Sequence, residues 1–120
     1  MTVAGHRHER IAEEIHHEVS IMLAGELKDP RIAGLVTITE VRVSPDLKQA
    51  RICVSVLGTE AEQKSTMKGL AAAVGFVRHE LLERLRMRRA PEVLFVLDHS
   101  AEYSQRLESL LREAKKSGSE

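Results

Sequence analysis

This sequence predicts an α+β fold, with a small three-stranded mixed sheet carrying its helices on one face. Three observations carry that reading. Two runs rich in Val, Ile and Thr flank Ser44-Pro45-Asp46; a very long helical pattern follows the second run; and a third apolar run, Val93 to Leu97, follows Pro91. Two strands joined by a tight turn form an antiparallel hairpin, whereas strands joined by a long helical connection are parallel and the crossover is right-handed.

The elements follow in chain order. Ile11, Ile15, Val19, Met22, Leu23 and Leu27 form an apolar stripe with Arg7, Arg10, Glu13, Glu14, His17 and Glu18 on the other face, the signature of an amphipathic helix. Asp29-Pro30 and Gly34 close it. Leu35 to Val43 and Ala50 to Leu57 read as strands, the second alternating Ala50, Ile52, Val54 and Val56 with Arg51, Cys53 and Ser55. Proline presets the backbone of the turn between them, and Ser44 and Asp46 can hydrogen-bond it. Thr59 and Glu62 have capping-box spacing, so a helix starts there.

From Thr59 the apolar pattern Met67, Leu70, Ala71, Val74, Val77, Leu81 and Leu85 runs on without a stop to Arg89. A straight helix of that length would measure about 45 Å, against a diameter of about 35 Å for a compact domain of this size. Something must bend it. Ala73-Val74-Gly75 is the expected kink, with glycine's freedom from a Cβ supplying the bend. Val93-Leu94-Phe95-Val96-Leu97 is unbroken and predicts a strand covered on both faces. Ser100 is expected to cap a last helix through Tyr103, Leu107, Leu110 and Leu111, with residues 1–111 as the domain and 112–120 as a mobile tail.

Composition excludes several classes. The 120 residues, 42% hydrophobic, suit one domain with a single core. No apolar run approaches the roughly 20 residues of a membrane span, and the charged N-terminus is unlike a signal peptide, so a cytoplasmic location is expected. Lone Cys53, between Ile52 and Val54, reads as a packing residue. Asp98-His99-Ser100 has triad residue types, but adjacent side chains point apart. No two of His6, His8, His16 and His17 have the helical spacing of metal ligands. With no phosphate-binding loop or nucleophile elbow either, no enzyme, cofactor or metal is expected.

Charge points elsewhere. Eighteen basic and eighteen acidic side chains cancel, yet Arg78, Arg84, Arg86, Arg88 and Arg89 crowd the end of the long helical pattern. One or two arginines would satisfy a helix C-terminus. Guanidinium forks grip phosphates bidentately and release counterions, so this cluster, with Arg7, Arg10 and Lys48 as further candidates, can support affinity for an RNA backbone. Phe76, Phe95 and Tyr103 are the only aromatics, and the two phenylalanines lie in apolar patterns, which argues against base stacking. The competing reading is a protein-binding adaptor whose arginines meet an acidic partner.

The order helix, strand, strand, helix, kink, helix, strand, helix matches the type II KH fold, with Ala73-Val74-Gly75 where ordinary KH domains carry a Gly-x-x-Gly loop. Together with Lys28-Asp29-Pro30-Arg31, Leu35-Val36-Thr37-Ile38-Thr39-Glu40-Val41, Val43-Ser44-Pro45-Asp46-Leu47, Val54-Ser55-Val56-Leu57-Gly58 and Leu85-Arg86-Met87-Arg88-Arg89-Ala90-Pro91-Glu92, the chain resembles the bacterial ribosome-binding factor A family over nearly its whole length. The resemblance implies a monomeric assembly factor that binds the free small ribosomal subunit and its rRNA. It also implies a role in late rRNA maturation, including 5′-end processing, and in growth in the cold. The chain departs from the family in its N-terminal histidines, where relatives are richer in arginine. With no nucleotide-hydrolysing motif in the chain, any energy-driven release would require a separate GTPase.

Overall fold

The computed structural model describes residues 7–32 and 36–118, without side-chain placement for 101–105 and 116–118; the expectations for His6, Gly34, Leu35 and the Tyr103 side chain lie outside that description. Helix α1 (Arg7–Ile21) leads into a π-helical turn, Met22–Glu26, and a 3-10 turn, Pro30–Ile32. Strands β1 (Val36–Val43) and β2 (Gln49–Val56) form the hairpin, followed by α2 (Glu60–Ala72), α3 (Val74–Arg84), β3 (Glu92–Leu97) and α4 (Ser100–Gly118). The sheet order is β1-β2-β3, antiparallel then parallel, as the connections require.

Local chemistry sets the boundaries. Thr59 and Glu62 form the full capping box: the Thr59 amide donates to Glu62 Oε1 at 2.9 Å, and the Glu62 amide donates to Thr59 Oγ1 at 3.2 Å. The long helical pattern does break, but at Ala73 (φ −87°, ψ −2°) and not at glycine. The Ala73 amide is shared between the carbonyls of Gly69 (3.1 Å) and Leu70 (3.0 Å), and Val77 then donates to Ala73 O. Val74 and Gly75 belong to the first turn of α3, and a Cβ on Gly75 would meet nothing within 4 Å. The glycine that packing demands is Gly69, where a Cβ would stand 2.8 Å from Ile32 Cγ1 and 3.1 Å from Arg31 Cβ. There the 3-10 turn lies directly on α2.

The core gathers Ile15, Val19 and Met22 of the N-terminal segment, Ile52 and Val54 of β2, and Leu70, Val77 and Leu81 of the helix pair, all fully buried. A bulge at Thr39 shifts the β1 register between Ile38 and Glu40, so both Ile38 and Val43 still face inward. Helices cover only this face. The expectation that β3 is covered on both sides fails: Val93 and Phe95 are buried, whereas Leu94 is 62% exposed, with none of the described residues covering it.

At the C-terminus, α4 runs on to Gly118. Its leucines Leu107, Leu110 and Leu111 are exposed, and it makes little contact with the sheet. The long axis of 64 Å is well beyond the compact diameter anticipated. The capping acceptor at its start is Asp98, which takes the Ser100 amide at 2.8 Å and the Thr39 hydroxyl at 2.6 Å. Both its oxygens therefore serve structure. No helix among the described residues is long and apolar enough to cross a membrane.

Candidate nucleic-acid interface

Helix α3 ends in a Schellman-type cap: the Leu85 amide donates to Leu81 O at 3.0 Å and the Met87 amide to Leu82 O at 3.1 Å. Between them Arg86 has φ 51°, the left-handed conformation that this position normally reserves for glycine. The chain then passes Arg88 and Arg89, both exposed, and reaches buried Pro91. Arg78 holds this segment against α3, with Nε donating to Pro91 O at 3.0 Å and a terminal nitrogen to Ala90 O at 3.4 Å.

The β1–β2 turn faces the same segment. Leu47 donates its amide to Ser44 O at 2.8 Å and is left-handed at φ 61°. Asp46 Oδ1 accepts from Ser44 Oγ (2.7 Å) and the Lys48 amide (3.0 Å), contacts that hold its carboxyl below the usual carboxylate range, the Ser44 hydroxyl first. Glu92 donates its amide to Lys48 O at 2.8 Å and ties the start of β3 to this turn.

Between the turn, the α3 end and the start of α1 lies an open groove of about 650 Å³. Arg7, Lys48, Arg78, Arg86, Arg88 and Arg89 line it, against Asp46 and Glu92. Six cations face two carboxylates in a protein of zero net charge. The only two non-glycine residues with positive φ among the described residues, Leu47 and Arg86, both line it as well. Unfavourable backbone of this kind gathers at ligand-binding places.

Two arginines read as phosphate ligands have other work. Arg84 has only 24% of its side chain exposed and donates to Glu18 (3.3 Å), Glu80 (3.0 Å) and Glu26. Those carboxylates raise its pKa further, Glu26 most. It clamps α3 to α1 and the π-helical turn. Arg78 lines the groove but spends its donors on backbone carbonyls. Arg10 is exposed on α1, away from the groove lining. Arg7, Arg86, Arg88, Arg89 and Lys48 are brought together. Sequence reasoning missed Asp46, Leu47 and Glu92; only the turn chemistry of Asp46 was a signal. It also placed Phe76 in the apolar pattern, yet that ring is 43% exposed.

A KH type II-like α+β domain, with a basic groove where a helix end, a hairpin turn and a strand start converge, is the class of protein that fold and site define. Residues 7–111 match the family described as Ribosome-binding factor A. The chain belongs to the ribosome-binding factor A family. It is 43% identical over 111 residues to Ribosome-binding factor A of Caldanaerobacter subterraneus subsp. tengcongensis, covering 92% of this chain and 91% of that one. It is 51% identical over 107 residues to that of Trichlorobacter lovleyi, covering 89% and 86%. Among solved structures it is similar to a Thermotoga maritima protein described as a ribosome binding factor A (TM-score 0.64, 35% identity, covering 79% of this chain and 89% of that one). It is also similar to the homology model of Thermus thermophilus ribosome binding factor A fitted into the cryo-EM map of its complex with the 30S subunit (TM-score 0.58, 25% identity, covering 79% and 94%).

Proposed function

We propose that this protein binds free small ribosomal subunits or their precursors and assists late maturation of the rRNA, including its 5′ end. It does so by gripping the backbone of folded rRNA in the groove at the end of α3. One observation carries the reading: Arg7, Lys48, Arg86, Arg88 and Arg89 converge there without any carboxylate recorded in a salt bridge to them among the described residues. Family membership and the Thermus relative fitted to a 30S subunit support the choice of target. Exposed guanidinium groups gain affinity by displacing counterions from phosphate and carry no base readout. The protein acts as a monomer in the cytoplasm and supports growth in the cold, and any energy-driven release falls to a separate GTPase.

The test is cosedimentation with purified small subunits across a salt series. The double substitution R86A/R88A should weaken binding and flatten the dependence of log affinity on log salt by about 1.4 to 1.8, with an unchanged circular dichroism spectrum. Equal binding by the variant would refute the groove as the contact. A 5′-end assay on precursor rRNA in cells carrying the same variant tests the maturation role.

A further inference from the structure

The groove continues past its rim. Gln49 and Glu92 are partners in the β2–β3 ladder and line both the groove and a second concavity of about 600 Å³ at the end of the sheet. Arg42, Arg51 and Leu94 border this second hollow. All three side chains project from the uncovered face, opposite the buried Val43, Ala50 and Val93.

Their arrangement is unfavourable in the protein alone. Arg42 stands directly across from Arg51 in the antiparallel ladder, and like charges at such positions repel. Arg42 is partly neutralised by Glu40, while Arg51 has no recorded salt bridge among the described residues. Beside Arg51, in the parallel ladder, Leu94 is largely exposed. The packing of the core asks for none of these three residues on this face.

We infer that Arg42 and Arg51 form a second RNA-backbone contact continuous with the groove, so that one strand passes from Arg86 and Arg88 around the Gln49–Glu92 end of the sheet onto its open face. The inference rests on the groove being an RNA site, as proposed above. Directly opposed residues in such a ladder have Cα atoms about 4.5 to 5.5 Å apart, and two long side chains diverging from that base can each take a separate phosphate. Leu94 then offers an apolar surface to the ribose between them. RNA backbone suits the pair better than an acidic peptide does, because the hollow adjoins a groove whose cations are already grouped for phosphate.

The salt series with small subunits separates the outcomes. The variant R42T/R51T should lower affinity and flatten the salt slope by about 1.4 to 1.8, while its melting temperature holds or rises as the repulsion is removed; R42K/R51K should restore the slope. A purely structural pair would instead lower the melting temperature and leave the slope alone. If R42T/R51T binds with the unaltered slope while R86A/R88A does not, the sheet contact is wrong and the groove stands. If neither variant changes the slope, both fall. Affinity lost by R42T/R51T that persists as a difference after complete nuclease digestion would assign the face to an acidic protein and overturn the inference.

Discussion

Arg84 reaches Glu18 across a sequence separation of 66 residues, donating at 3.3 Å, and in doing so joins α3 to α1. Glu26 and Glu80 complete its surroundings. Removal of the guanidinium leaves three carboxylates close together and half-buried. R84A should therefore lower the melting temperature by several degrees and leave the salt slope of subunit binding unchanged. Thermal denaturation beside cosedimentation checks both halves, and a flattened slope would return Arg84 to the interface.

Arg86 should show the reverse. Its left-handed backbone costs about 1 kcal/mol relative to glycine at the same place. R86G should raise the melting temperature by several degrees while weakening subunit binding, whereas R86A should weaken binding without the gain in stability. A protein that kept arginine here for stability would lose melting temperature in both variants.

Two glycines in neighbouring turns should respond oppositely to alanine. At Gly69 a Cβ would collide with Ile32 Cγ1 and the Arg31 Cβ, so G69A should cost about 1 to 3 kcal/mol. At Gly75 the space is open and the backbone helical, so G75A should gain about 1 kcal/mol. Urea denaturation of both variants decides; a destabilised G75A would show that the interhelical break needs glycine after all.

Acid should expose the carboxylate anchors. Hydrogen bonds from the Arg31 side chain bring Asp29 down to about 2, and the Thr39 hydroxyl holds Asp98 below its ordinary value. A carboxylate whose folded pKa is depressed contributes stability that is present above its unfolded pKa and lost as pH falls through the folded one. The melting-temperature difference between the native protein and D29N should be constant above about pH 5 and shrink between about pH 4 and 2. A difference independent of pH throughout would show that the charge on Asp29 is not the cause.

Much of the fold is legible where a structural decision is made among neighbours in the chain. Thr59 and Glu62 start α2 through bonds three residues long, and Ser44, Pro45 and Asp46 build their turn within six residues. The alternation of Ala50, Ile52, Val54 and Val56 announces which face is buried. The basic groove is legible in part, since Arg86, Arg88 and Arg89 are adjacent in sequence and Lys48 lies on a readable turn.

What the amino-acid order could not disclose is every feature settled by residues far apart. Charge alone makes Arg84 and Arg88 alike; three carboxylates from other turns and helices hold one half-buried and leave the other exposed. Val93 to Leu97 is apolar throughout, but whether a second layer covers it depends on where the helices go, and α2 and α3 pack on the side of Val93 and Phe95 while Leu94 stays exposed. The close approach at Gly69 likewise follows from α2 meeting the turn at Arg31 and Ile32, far earlier in the chain. Periodicity and capping are short-range energies written into local order, whereas burial, ion pairing and the joining of two basic surfaces around Glu92 exist only once the chain has folded.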